Sequence, residues 1–258
     1  MKFKFLILFI LLICQPIYAS VTGDAQNNTD SDRIHSTARA STTTSTFSMW
    51  VKMAAFPAST NRAFLSTYAE LTGAWTAWDK TLFVDSNGKA VFYIFDGAEK
   101  LATSTSTLTL GTWFHVAGST DGTNIRVYVN GALEATTLAG TSFNAWATGP
   151  RFNMLGIDAF ANVWVAASAT IEEVAYWSVK LSDNEVAQLA SSRLRRIPLQ
   201  IQPLSLAGYY PIDDYEDGAA GNGKIFLDYS GNGRHGTGDD GQNNTGLTVN
   251  AGSVLSYP

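Results

Sequence analysis

The sequence predicts an almost wholly β chain: antiparallel strands stacked as a two-sheet sandwich, with one short helix. Three observations predict it. Apolar and polar residues alternate with a period of two over Phe47–Met53 and Asn124–Asn130, as strands with two distinct faces require. Asn-Gly or Asp-Gly pairs fall between apolar runs at Asn87-Gly88, Asp96-Gly97, Asp121-Gly122 and Asn130-Gly131. Such dipeptides suit tight hairpins because both central residues tolerate positive φ. Thr, Ser, Gly, Asn and aromatics recur while long Leu/Glu/Lys stretches do not, a balance that favours strands and turns.

The 258 residues are 45% hydrophobic, 12% aromatic and 15% charged. That length suits one large β domain or one domain plus a tail, and that composition can bury a substantial core. Residues 1–19 stand apart. Lys2 and Lys4 make a basic start, Phe5 to Ile13 is a short apolar run, and Ala19 offers a small residue for cleavage. This is the layout of a secretory signal peptide, and it implies a secreted, extracellular protein. The run is short for a bilayer span, so the membrane is expected to be met only through this leader if it stays uncleaved. Cys14 follows Leu11, Leu12 and Ile13 rather than a small residue, which disfavours a lipid anchor. Cleavage after Ala19 removes the only cysteine, so the mature domain would hold no disulfide. It also removes two lysines and no acid, making the chain more acidic than its formal charge of −5. An acidic surface argues against nucleic acid as a partner.

Residues 20–198 are expected to form the main domain. Ser20 to Thr46 is polar and reads mostly as loop, with one short strand around Arg33–Ser36. Strands are then expected at Leu82–Asp85, Ala90–Phe95, Lys100–Thr103, Thr112–Ser119, Asn124–Asn130 and Ala132–Thr137. Ile125, Val127 and Val129 should share one face, with Arg126 and Tyr128 on the other. Ser182-Asp183-Asn184-Glu185 is a capping box opening a helix, with Val186, Leu189 and Ala190 as its apolar face. Arg193, Arg195 and Arg196 suit the helix C-terminus and read as a solvated helix end. Residues 199–258 begin with one or two strands over Leu199–Ile212. Asp213–Pro258 is rich in Gly, Asp and Asn and reads mostly as loop.

Three segments resemble the laminin-G-like superfamily of pentraxin and concanavalin A-like lectin domains. Thr46-Phe-Ser-Met-Trp-Val-Lys52 is similar to its early core strand. Thr112-Trp-Phe-His-Val-Ala117, then Asp121-Gly122 and Val127-Tyr-Val-Asn-Gly131, resembles its central hairpin. Ile171-Glu-Glu-Val-Ala-Tyr-Trp177, then Leu181-Ser-Asp-Asn-Glu-Val186, resembles its last core strand and helix. The resemblance implies an antiparallel jelly roll that binds glycans or extracellular protein surfaces. The hairpins alone would also fit other sandwiches. One departure stands out. An aromatic strand followed by Asp-x-Ser-Gly-Asn-Gly commonly opens such modules. Here it sits at the far end, as Gly208-Tyr-Tyr-Pro211 and Asp228-Tyr-Ser-Gly-Asn-Gly233. The C-terminal segment either closes the same sandwich or begins a second module. The first is preferred, because a partial module would leave an unpaired edge.

Asp213, Asp228 and Asn232 are hard oxygen donors on Gly-rich loops, with Asp214 and Asp217 beside them. Oxygen-rich flexible loops are what Ca²⁺ takes, and some relatives use it, so calcium is the expected cofactor if there is one. Asp, Asn and Gly are equally the ordinary turn residues. Trp75, Trp78 and Asp79 lie in one Gly/Thr-rich stretch, and Asn144 and Trp146 in another. A ring for the C–H face of a sugar and polar groups for its hydroxyls make these the ligand-site candidates. The alternative is that each Trp covers the core. Trp50, Trp113 and Trp177 fall inside predicted strands and read as structural, as does His115. No catalytic residues are assigned. There is no Ser/His/Asp pattern or phosphate-cradling loop. Glu172 and Glu173, being adjacent on a strand, should face opposite ways and cannot alone make a glycosidase pair. The expected function is a secreted recognition module for carbohydrate and not an enzyme. The alternative is a structural or decoration subunit of an extracellular or viral assembly, with self-assembly as its partner interaction.

Overall fold

The computed structural model describes residues 18–23, 33–37, 42–58, 62–69, 78–95, 98–139, 151–155, 164–166, 168–191, 197–212, 222–239 and 248–253. In chain order the strands are β1 (Tyr18–Gly23), β2 (Arg33–Thr37), β3 (Ser45–Met53), β4 (Arg62–Ala69), β5 (Trp78–Asp85) and β6 (Ala90–Phe95). Then follow β7 (Glu99–Thr103), β8 (Trp113–Thr120), β9 (Asn124–Val129), β10 (Ala132–Leu138), β11 (Arg151–Met154), β12 (Trp164–Ala166) and β13 (Ala169–Trp177). After helix α1 (Asp183–Ser191) and two 3₁₀ turns (Ile197–Gln200 and Pro203–Ser205) come β14 (Leu206–Tyr210), β15 (Ile225–Phe226), β16 (Gly236–Asp239) and β17 (Thr248–Ser253).

Two sheets result. One runs β10-β9-β8-β3-β13-β1-β17, with β14 also paired to β13. The other runs β15-β16-β2-β11-β4-β5-β6-β7, with β12 also paired to β4. Every pair is antiparallel except β12 with β4. This is the all-β, two-sheet antiparallel sandwich with one helix that the hairpin signals predict.

The turns refine those signals. Of the three described turns, only Asn130-Gly131 has both central residues at positive φ (48° and 79°), and it closes β9 onto β10 with Ala132 opposite Val129. A side chain at Gly131 would meet Ala187 of α1 at 2.9 Å, so glycine is required there twice over. At the other two described turns glycine alone takes positive φ and an aspartate folds the chain. Asp85 Oδ1 accepts from the N–H of Asn87 and Lys89, and Asp121 Oδ1 from Thr123 and Asn124, the Asx-turn use of this residue. Burial works upward on the Asp121 carboxyl. The N–H groups of Asn124 and Thr123 and the Arg126 guanidinium outweigh it and hold the pKa at about 2.

The core between the sheets holds Phe47, Met49, Val51, Val127, Val129 and Ile171 from one sheet and Leu82, Phe92, Phe152 and Met154 from the other. Phe47 stacks on Phe152 (5.8 Å between centroids) and Tyr176 (5.0 Å), and Phe152 on Tyr210 (6.1 Å), so one aromatic column links the layers. A second cluster lies on the other face of the first sheet. There Ala117, Tyr128, Ala175, Trp177 and Tyr209 are covered by Leu181, Val186, Leu189 and Ile201. The capping box forms as read: Ser182 N–H donates to Glu185 Oε2 (2.7 Å) and Glu185 N–H to Ser182 Oγ (3.2 Å). Arg193, Arg195 and Arg196 lie outside the described residues.

Pairing adds detail to three segments. In Ser20–Thr46 the expected strand is β2, and β1 adds another. Its pairing with β13 uses Val21, Thr22 and Gly23, and its pairing with β17 joins Tyr18 to Ser253 and Ser20 to Asn250. Leu199–Ile212 gives one strand, within the one or two expected, preceded by 3₁₀ turns, the second of which opens at Pro203. Asp213–Pro258 contributes β15, β16 and β17, which join both sheets.

Candidate functional site

Four strand termini meet at one end of the sheet that contains β4. Arg151, the first residue of β11, pairs with Thr37 on one side and Ala69 on the other. Ala69, the last residue of β4, also pairs with Trp78, the first of β5. The segment 70–77, which carries Trp75, and the segment 140–150, which carries Asn144 and Trp146, therefore spring from neighbouring strands. Trp75, Asn144 and Trp146 themselves lie outside the described residues. Trp78 and Asp79 belong to a strand and not to a connecting segment as expected. Tyr68 pairs with Lys80 but Ala69 with Trp78, so Asp79 is an extra residue in the ladder, as in a β-bulge. Lys80 is buried, and its Nζ donates to the Thr42 carbonyl at 2.6 Å, which ties the approach to β3 to this rim.

Below the rim a row of positions crosses the sheet. By register it runs Thr237, His35, Asn153, Thr67, Thr81, Tyr93 and Leu101. Their chain neighbours Ile34, Met154, Leu82, Phe92 and Ala102 fill the core, so alternation turns His35, Asn153, Thr81, Tyr93 and Leu101 to the sheet's outer face. Thr81, Tyr93 and Asn153 are buried, while His35, Thr237 and Leu101 are half-buried. Hydroxyl, amide, imidazole and phenol groups in one line supply both donors and acceptors. No local sequence signal could have found the row, because its members come from seven strands spread over most of the chain.

The expected calcium donors can be tested for fit. Both oxygens of Asp228, which is 7% exposed, face N–H groups: Oδ1 accepts from Tyr209 (3.0 Å) and Ser230 (2.9 Å), and Oδ2 from Arg234 (3.0 Å). Asn232 presents its nitrogen, donating to the Leu206 carbonyl (2.9 Å) and Ser230 Oγ (2.9 Å). The carboxylate charge is already met by backbone dipoles, and an amide nitrogen cannot ligate a cation. Asp228 and Asn232 do not fit a calcium ion between them. Asp213 lies outside the described residues. Among the described residues no group of three His, Cys, Asp or Glu side chains could hold a metal.

The other sheet carries its own polar cluster. Trp50, Trp113 and Trp177 are buried, as expected of structural residues. Lys52 Nζ stands 5.2 Å above the Trp113 ring, a cation–π contact. His115 is 1% exposed; its Nε2 lies 2.8 Å from Ser48 Oγ, while Nδ1 has no hydrogen-bond partner. Glu172 and Glu173 do not follow the simple alternation expected of them. The register of β13 shifts between Glu172 and Ala175, and Glu173 sits at φ 52°. The bulge re-aims Glu173 so that Tyr209 Oη donates to its Oε2 at 2.7 Å. Glu172, opposite Trp50, is buried.

Comparison with solved structures places the fold. The chain matches a native heptameric SAP-like pentraxin from Limulus polyphemus with a TM-score of 0.61 at 15% identity, over 93% of this chain and 98% of that one. It matches a "putative carbohydrate binding protein" from Bacteroides ovatus ATCC 8483 with a TM-score of 0.58 at 21% identity, over 94% of this chain and 62% of that one. The chain thus spans under two thirds of the Bacteroides protein. Comparison with curated proteins finds no match. The sequence profile of a laminin-G family, described as the concanavalin A-like lectin/glucanases superfamily, matches residues 26–187. That match takes in β2 through most of α1, more than half of the sequence, and the chain belongs to the concanavalin A-like lectin/glucanases superfamily.

Proposed function

We propose that this chain is an exported recognition module that binds carbohydrate reversibly, without catalysis, at the rim marked by Ala69, Trp78 and Arg151, the strand ends next in sequence to the segments 70–77 and 140–150. The observation that carries the reading is the pairing of Ala69 with both Trp78 and Arg151. It makes the strand ends that flank the two tryptophan-bearing segments neighbours in one sheet. Membership of a lectin superfamily supports it, as does the fold likeness to a protein described as carbohydrate binding. So does the row of hydroxyl, amide and imidazole groups beneath the rim. A rigid sandwich presenting variable connecting segments is a common way to build a binding site.

The test is a glycan array followed by affinity and melting measurements on Trp75→Ala, Trp78→Ala and Trp146→Ala. A stacking anchor should cost about 2 kcal/mol, or about thirty-fold in Kd, with the melting temperature little changed. If every variant loses stability in proportion to its loss of binding, the tryptophans are core residues and the rim is not the site. Export is read from the leader at residues 1–19. N-terminal sequencing of secreted protein should begin near Ser20, and a retained Met1 on such material would refute cleavage.

A further inference from the structure

We propose that Asp228–His235 is an edge guard: a loop whose side chains stand in for a missing strand beside β14 and stop that strand from pairing with a second chain. Among the described residues β14 pairs only with β13, so without the loop its other edge would expose backbone donors and acceptors. The loop occupies them. The Tyr209 N–H donates to Asp228 Oδ1 (3.0 Å), and the Tyr209 carbonyl accepts from Tyr229 N–H (2.8 Å). The Leu206 carbonyl accepts from Asn232 Nδ2 (2.9 Å), and the Ala207 carbonyl from Arg234 Nη1. Tyr210 Oη closes the far side by donating to the Arg234 carbonyl (2.6 Å).

The loop can do this only because it is itself pinned. Asp228 gathers Ser230 and Arg234 as well as Tyr209, and its own N–H donates to His235 Nδ1 at 3.1 Å. Gly231 (φ 85°) and Gly233 (φ 67°) let the chain turn tightly enough to return the Asn232 and Arg234 side chains to β14. A regular strand in this place would present a fresh edge of its own; a loop of side-chain donors does not. That is the logic by which natural sheets avoid edge-to-edge association. The motif is then spent on shielding an edge, which is why it cannot also serve calcium.

The test uses Asp228→Ala/Asn232→Ala and the milder Asp228→Asn in the full mature chain. In the parent protein the Tyr209 amide should be protected from hydrogen exchange. In the double variant its exchange should rise about a hundred-fold, and sedimentation velocity should show concentration-dependent association beyond that of the parent. If the double variant does not fold, Asp228→Asn, which keeps one acceptor for Tyr209, should still show faster Tyr209 exchange. A Tyr209 amide that exchanges freely in the parent, or a folded double variant with no added association, overturns the proposal. Calcium titration calorimetry provides the second arm. No heat dependent on Asp228 is expected, and a binding heat present in the parent and lost in Asp228→Asn would overturn it equally.

Discussion

Replacing Val127 with Asp is expected to leave a chain without a cooperative melting transition. Val127 sits in the middle of β9, is wholly buried, and faces the core between the two sheets. It pairs with Gly118 of β8 and Ala135 of β10, so neighbouring backbone closes it in on both sides. The core cluster around it is apolar. Burying an unpaired charge costs several kcal/mol even after relaxation. A domain of this kind has only about 5–15 kcal/mol to lose. The neighbouring position is the control. Arg126 lies on the opposite face, half-buried, paired with Asp121 at 2.7 Å, and Arg126→Ala should cost no more than about 1 kcal/mol. Calorimetric melts of the two variants check the face assignment directly. A near-parental melt for Val127→Asp would mean that the strand's faces are reversed.

The same alternation explains which parts of the fold could be read from the chain. β9 was legible because its period-two pattern and its flanking turns are local, each written within a few residues. α1 was legible because Ser182 and Glu185 are three residues apart and bond each other. β16 was not, because Gly236-Thr-Gly-Asp239 has almost no intrinsic strand preference. It is a strand because β2 lies beside it, with Ile34 opposite Gly238 and Ser36 opposite Gly236. A side chain at Gly236 would come within 2.6 Å of Ile34, so the residue that hides the strand from a sequence reading is the one that lets it pack. β1 was missed for a related reason. Its partners, β13 and β17, lie well over a hundred residues downstream.

The candidate site was legible only in its pieces. Two tryptophan-bearing segments could be picked out by composition. That the strand ends flanking them adjoin depends on β4, β5 and β11 being neighbours, which pairwise turn signals cannot supply for strands so far apart in sequence. Glu173 shows the opposite failure. Simple alternation sends it away from Glu172, but the bulge in β13 overrides the period and hands its carboxylate to Tyr209. Asp228 and Asn232 show a third. Donor chemistry alone could not tell a metal ligand from a turn residue. The difference lies in where their lone pairs and protons point, which only the folded loop determines.

His115 should make the domain labile in mild acid. Burial drives its pKa from an ordinary 6.5 down to about 3, because an imidazolium there would lose its water; Ser48 Oγ lies 2.8 Å from its Nε2 and the Trp50 ring centroid is 5.4 Å away. The folded state therefore holds His115 neutral at a pH where the unfolded chain protonates it. Its contribution is fully present above about pH 6.5 and is lost as pH falls from there towards 3, at about 1.4 kcal/mol per pH unit. Across the whole window that approaches 4–5 kcal/mol, comparable with the total stability of a marginal domain. At pH 5 the loss should be about 2 kcal/mol, or roughly 4–8 °C in melting temperature for a domain of this size. The contribution of Asp121, whose carboxyl is held at about 2, is present above the ordinary carboxylate range and is lost as pH falls through it towards 2, outside the interval from pH 7 to 5. His115→Gln can keep a hydrogen bond to Ser48 and does not titrate, while His35 and His235 remain in place. Melting curves for the parent and His115→Gln at half-unit steps between pH 7 and 5 should diverge, the parent falling more steeply than the variant. Parallel slopes would show that His115 is not the group that protonates on unfolding.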